Sequence, residues 1–165
     1  MKIEELKRKN LIEFLHTQIG EYEYPSGSNR VKYNDWYYER SHAYHRNSKP
    51  YAWCGTFVAY SLHWAGIYID TDLFKALPYV PSAQNLLRAR GLNTDTPQPG
   101  DVIIFDWNND GFEEHIGFYL GMDGDKVVTI EGNTSPDNKG NQSNGGMVCK
   151  KRRNLRQIEG FYKVI

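Results

Sequence analysis

The chain is poor in cysteine, with two thiols, Cys54 and Cys149, in 165 residues. Two are too few for a disulfide framework, and neither belongs to a paired ligand pattern such as C-x-x-C, so any chemical role must be a single-residue role. An excess of one charge is lacking too. Lysine plus arginine and aspartate plus glutamate each number 20, so no net field draws the chain to nucleic acid and no such partner is expected. The one basic cluster, KKRRNLR from Lys150 to Arg156, reads as a solvated strand end. Long hydrophobic runs are also absent. The opening MKIEELKRKNLIEFL alternates charged and apolar residues, with neither a secretory signal nor a membrane span, so the expectation is a polypeptide made in the cytoplasm that does not insert into a membrane. No repeat, low-complexity tract or linker divides the chain, and its length suits one domain, residues 1–165, with one core.

Two periodicities divide what is present. Ile3, Leu6, Leu11, Phe14, Leu15 and Ile19 recur at helical intervals before Gly20, which predicts an amphipathic helix over residues 3–19. Residues 21–50 are crowded with Tyr and Trp but keep neither period, and read as an ordered loop. A helix is expected over about residues 51–65, stopped by Gly66, and a short one over 81–91 with Pro at its start and Gly at its end. From Pro97 on, DVIIFDW, HIGFYLG, KVVTIEGN, GMVCKKR and IEGFYKVI are short β-rich runs separated by Gly, Asn and Asp. Short connections make their pairing antiparallel. The fold class expected is therefore α+β, with N-terminal helices packed on an antiparallel sheet of about five strands.

Cys54 stands in the first turn of the second helix. It reads either as a small core hydrophobe or as a nucleophile at a helix N-terminus, where unpaired N–H groups and the dipole favour an anion. Phe57, Val58, Leu62 and Ala65 put the face that carries it against the core. A thiol nucleophile needs a base, and five histidines are available. His63, nine residues on, points to the opposite side of the same helix. His16 sits on the N-terminal helix and reads as surface. His42 and His45, in the aromatic segment, remain candidates. His115 opens a strand, a rigid place for a catalytic group.

The hairpin after His115 offers a candidate three-residue turn, Met122-Asp123-Gly124. Gly121 would then face Asp125, and the antiparallel register would bring His115 opposite Glu131, with Asn133 on the same face. Ile116, Phe118, Leu120, Val128 and Ile130 would pack on the other. A carboxylate opposite a histidine can orient the ring and stabilise the imidazolium. The same pair also reads as an ordinary cross-strand polar contact, and a slip of one residue would separate the faces.

YAWCGTFVAYSLHWAG, PQPGDVIIFDW, EEHIGFYLG, TIEGNTS and the closing GFYKVI, in that order, resemble the CHAP domain, a papain-like cysteine amidohydrolase/peptidase. The upstream YPSGSNRVKYNDWY is similar to the segment before the cysteine in CHAP endolysins of bacteriophages and prophages, and the resemblance runs from about residue 19 to the last. What it implies is peptidoglycan hydrolysis by one catalytic domain, at the amide between N-acetylmuramic acid and L-alanine or at a stem or cross-bridge peptide bond. In that reading Cys54 attacks the carbonyl, His115 moves the proton, and Glu131 with Asn133 holds the imidazole. The Cys54 backbone N–H would meet the oxyanion, and Tyr51 and Trp53 would wall the substrate groove. The enzyme would act as a monomer without a cofactor in the chemistry, reaching the wall through a holin or a delivery apparatus. The alternatives are a catalytically silent wall-binding module and a papain-like hydrolase of another amide.

The resemblance has a gap. Some CHAP endolysins bind calcium through acidic residues ahead of the cysteine, where this chain reads HRNSKPYAW. A separate structural calcium loop is suggested by DWNNDGFEE, in which Asp106, Asn108, Asp110, the Phe112 carbonyl and Glu114 occupy EF-hand-like positions. Gly117 stands where the bidentate Glu belongs, and the stretch also reads as an acidic turn.

Overall fold

The computed structural model describes residues 1–41 and 51–165. Helix α1 (Ile3–Gln18) carries Glu4 and Glu5 in its first turn, where they complement the dipole, and buries Leu11 and Leu15. The aromatic segment departs from expectation: its second part is a helix, α2 (Lys32–Ser41). Tyr33, Trp36 and Tyr37 are buried at i, i+3 and i+4, but Tyr38 and Asn34 are buried as well, so the period is hidden by burial beyond a single stripe. His42 and His45 lie outside the described residues.

Helix α3 (Cys54–Trp64) starts at Cys54 itself and buries Phe57, Val58 and Leu62. A short helix that the sequence reading missed, α4 (Thr71–Ala76), is capped by Asp70, whose side chain accepts from Leu73 N at 2.9 Å. Helix α5 (Val80–Ala89) carries Pro81 in its first turn.

Five strands follow: β1 (Val102–Phe105), β2 (His115–Asp123), β3 (Lys126–Thr134), β4 (Met147–Asn154) and β5 (Ile158–Tyr162). They form one antiparallel sheet of order β4-β3-β2-β1-β5. Ile104, Ile116, Phe118, Ile130 and Val148 face the helices and join Leu11, Leu15, Phe57, Val58 and Leu62 in the main core. Ile103, Phe105, Tyr119 and Val127 face the other way, with Trp107, Ile158 and Phe161. Alternation along the strands places His115, Glu131, Lys151 and Arg153 on this second face.

The β2–β3 hairpin turns later than expected, which shifts the pairing register by three residues. Asp123 pairs with Lys126, so the turn is Gly124-Asp125, and Gly121 pairs with Val128 instead of Asp125. A bulge between Tyr119 and Gly121 then takes one residue back, leaving Tyr119 opposite Thr129 and Phe118 opposite Ile130. The net displacement is even, so His115 and Glu131 still share a face, although not directly opposite one another.

The basic run in β4 is also corrected. Lys150 and Arg152 are exposed, but Lys151 and Arg153 alternate with them and are buried. Lys151 Nζ donates to the carbonyls of Ser135 and Asp137 at 2.7 and 3.0 Å, tying down the loop of residues 135–146 over the second face. Two glycines bring α3 onto its surroundings. A Cβ at Gly132 would stand 2.6 Å from the Phe57 side chain, and one at Gly55 would stand 1.8 Å from the Leu77 carbonyl oxygen. Among the described residues, no helix is long and apolar enough to cross a membrane.

Candidate active site

The N-terminus of α3 is pinned from several sides. Trp53, the residue before the helix, stacks on Tyr33 with centroids 5.3 Å apart and donates its indole N–H to Glu23 at 3.1 Å. Thr56 Oγ1 donates to Asn34 Oδ1 at 2.7 Å, and Asn34 Nδ2 donates to the carbonyls of Asn29 and Tyr51 at 2.8 and 2.9 Å. Cys54 is therefore held at a rigid helix start with only 3% of its surface exposed. The first amides of the helix have no acceptor within it.

His115 opens β2 and is fully buried. Its Nε2 meets Glu131 Oε2 at 3.0 Å, and its Nδ1 is buried without a hydrogen bond of ordinary geometry. The Cys54 thiol is close enough to bias the ring's protonation. Burial works to push the His115 pKa down, but Cys54 and Glu131 outweigh it and hold the pKa up, at about 9. Burial works to push the Glu131 carboxyl up, but Arg153 and His115 hold it down, at about 2. A carboxylate on one ring nitrogen fixes the ring and leaves the other nitrogen for a thiol, which is the nucleophile, base and orienter arrangement of cysteine acyl transfer.

The structure brings Cys54, His115 and Glu131 together but assigns Asn133 elsewhere. β3 leaves the extended conformation there, with φ 58°. The carboxamide turns to the 135–146 loop, donating to Asn144 Oδ1 at 3.0 Å and accepting from Gly146 N at 3.1 Å. Trp53 is not a groove wall: it is fully buried because Glu23 and Tyr33 hold it inside. Tyr51 is 65% exposed. Of the other histidines, His16 is exposed, and His63 packs beside Trp36 and Trp64.

The residues of the suggested calcium loop bond to one another within the turn. Asp106 accepts from the amides of Asp110 and Gly111 at 3.2 and 2.8 Å, and Asp110 accepts from Asn108 Nδ2 and from the amide of Phe112 at 3.0 and 2.9 Å. Glu114 accepts from Trp107 N at 3.2 Å. The carboxylates close the turn instead of converging, and among the described residues no group of three or more His, Cys, Asp or Glu side chains could hold a metal ion.

Several residues at the site escaped the sequence reading. Arg153 donates to both oxygens of Glu131, and Thr129 Oγ1 donates to Oε1. Trp107 stacks on Phe105 at 4.8 Å and lies 5.7 Å from the His115 ring. The signal for Arg153 was its spacing from Lys151, two apart in a strand whose faces are both covered.

A family model described as the CHAP domain matches residues 44–133, a stretch that contains Cys54, His115, Glu131 and Asn133. No curated protein matches the chain. Among solved structures, one described as similar to a lipoprotein of the NLP/P60 family, from Staphylococcus aureus subsp. aureus Mu50, is 13% identical with a TM-score of 0.47. The match covers 100% of this chain and 43% of that one.

Proposed function

The chain belongs to the CHAP domain family, and on that premise we propose that it is a cysteine-dependent peptidoglycan hydrolase. The observation that carries the reading is the buried His115, with Nε2 on Glu131 and the ring beside Cys54. The bond cut is either the N-acetylmuramoyl-L-alanine amide or a peptide bond of the stem or cross-bridge.

In this reading His115 Nδ1 already holds the proton taken from Cys54, and the thiolate Sγ attacks the carbonyl carbon. The oxyanion is met by the Cys54 amide at the start of α3. As the C–N bond breaks, the imidazolium returns its proton to the leaving amine, and a thioester remains. Water, deprotonated by His115, attacks the thioester and releases the new carboxylate and the thiol. Glu131 orients the ring throughout and stabilises its charged form. Tyr51, exposed and three residues before Cys54, is the substrate-facing aromatic in this scheme. The scheme needs no cofactor. We further propose that the protein acts as a monomeric single domain of a phage or prophage lysis module, or as a delivered effector, at the bacterial wall.

The test is clearing of purified peptidoglycan from several wall types by the native protein and by Cys54→Ala, with released ends read by mass spectrometry. Clearing that is lost in the variant supports a thiol hydrolase, and the new termini name the bond. Equal clearing by both, or none on any wall, overturns the reading in favour of a wall-binding module or a hydrolase of another amide.

A further inference from the structure

Arg153 is buried in β4 beneath the 135–146 loop, and its guanidinium forks onto the Glu131 carboxylate: Nε donates to Oε1 at 2.9 Å and Nη2 donates to Oε2. Nη2 also donates to Thr134 Oγ1 at 3.2 Å, and Nη1 donates to Gln142 Oε1 at 2.8 Å. The guanidinium lies 4.8 Å from the Trp107 ring centroid and 5.6 Å from that of Phe105. This is a planar, permanently charged group in the two-pronged geometry that suits a carboxylate.

The hold solves a problem that His115 alone leaves open. A buried carboxylate is tolerated only when it is paired, and an imidazole that moves protons is neutral for part of each cycle. Arg153 is charged at every step. The other groups facing the carboxylate do not replace it. Lys151 of β4 is spent on the Ser135 and Asp137 carbonyls and lies near Asp137, while Cys149 of β4 and Cys54 of α3 bring no positive charge.

We propose that Arg153 is a positioning residue for the cysteine reaction. Its bidentate grip keeps Glu131 anionic and turned toward His115 Nε2, so that Nδ1 stays available to Cys54. The consequence for turnover rests on the hydrolase reading; the consequence for the ring and the thiol does not.

The experiment compares the native protein with Arg153→Lys, Arg153→Gln and His115→Gln. Alkylation by iodoacetamide is followed across pH and resolved by peptide mass spectrometry, so that Cys54 is read apart from Cys149. In Arg153→Gln, Cys54 alkylation at neutral pH is expected to fall by about tenfold, toward the His115→Gln level. Arg153→Lys, which keeps the charge but loses the fork, should fall between. Nitrogen-15 NMR of the native protein should show neutral His115 as the Nε2–H tautomer, giving way to a mixture in Arg153→Gln. Where peptidoglycan is cleaved, kcat should fall with KM little changed.

A native protein in the Nδ1–H tautomer, or Arg153→Lys with native alkylation and tautomer, overturns the proposal. Neither observation requires Arg153→Gln to fold. A native protein that cleaves no wall overturns the hydrolase reading alone, because alkylation and tautomer still decide the role of Arg153.

Discussion

Gly117 lies under the Glu131 side chain: a Cβ built on it would stand 2.7 Å from Glu131 Cγ. Glu131 reaches His115 by leaning across β2 at a residue with no side chain to obstruct it. In Gly117→Ala the carboxylate must shift or the strands must part. Gly117 is not among the left-handed glycines, so its backbone accepts alanine and the substitution tests space alone. The expected result is a folded protein with hydrolysis reduced by about 10²-fold, since displacements of about 1 Å cost that much. Circular dichroism and the wall-clearing rate check it, and native activity would mean that Glu131 has another route to the ring.

The charged pair sets a stability window. The folded His115 pKa is raised to about 9 by Cys54 and Glu131 against opposing burial, so its contribution is whole below the unperturbed value of 6.5 and is lost as pH rises through about 9. The folded Glu131 pKa is lowered to about 2 by Arg153 and His115, again against burial, so its contribution is whole above 4.5 and is lost as pH falls toward about 2. Urea unfolding of the native protein beside a Glu131→Gln/His115→Gln variant should show the largest gap between pH 4.5 and 6.5. A gap that is flat across pH would show that the pair is not ionised in the fold.

Glu23 shapes the approach to Cys54. Its carboxylate accepts from the amides of Gly27 and Asn29 as well as from the Trp53 indole. Glu23→Ala strands these donors, with an expected loss of about 2–3 kcal/mol. Trp53 emission should shift to the red as water reaches the ring. Unchanged stability and emission would place Trp53 under the control of the Tyr33 stack alone.

Asp106 gives a test of the acidic turn. Its two amide bonds make it a loop-closing residue, so Asp106→Ala should cost about 1 kcal/mol, while calcium or a chelator should leave the unfolding temperature of the native protein in place. A rise in unfolding temperature on adding calcium would favour the metal-loop reading.

The arrangement is legible in the sequence where it depends on residue type and period, and obscure where it depends on what covers a surface. Cys54 at a helix start and His115 at a strand start follow from the local pattern, as does the five-stranded sheet. The sharing of a face by His115 and Glu131 was reached through a mistaken turn, corrected in parity by a bulge that leaves no mark on the sequence. A basic run looks polar throughout, so the sequence places Arg153 in solvent; only the 135–146 loop folded over β4 makes alternate members interior. Asn133 looked like a strand residue facing the histidine, but its left-handed backbone redirects it. The α2 helix was hidden because aromatic residues lie on several of its sides.

The bulge at Leu120 also limits how this hairpin can change length over time. A single inserted or deleted codon between His115 and the turn would carry the histidine and the glutamate to opposite sides of the sheet. Descendants that keep the chemistry must therefore gain or lose residues there in pairs, or offset an odd change with another bulge. Beyond Asp123 and Lys126 the tip is free of that arithmetic, and extra loop length can accumulate there without disturbing the pair.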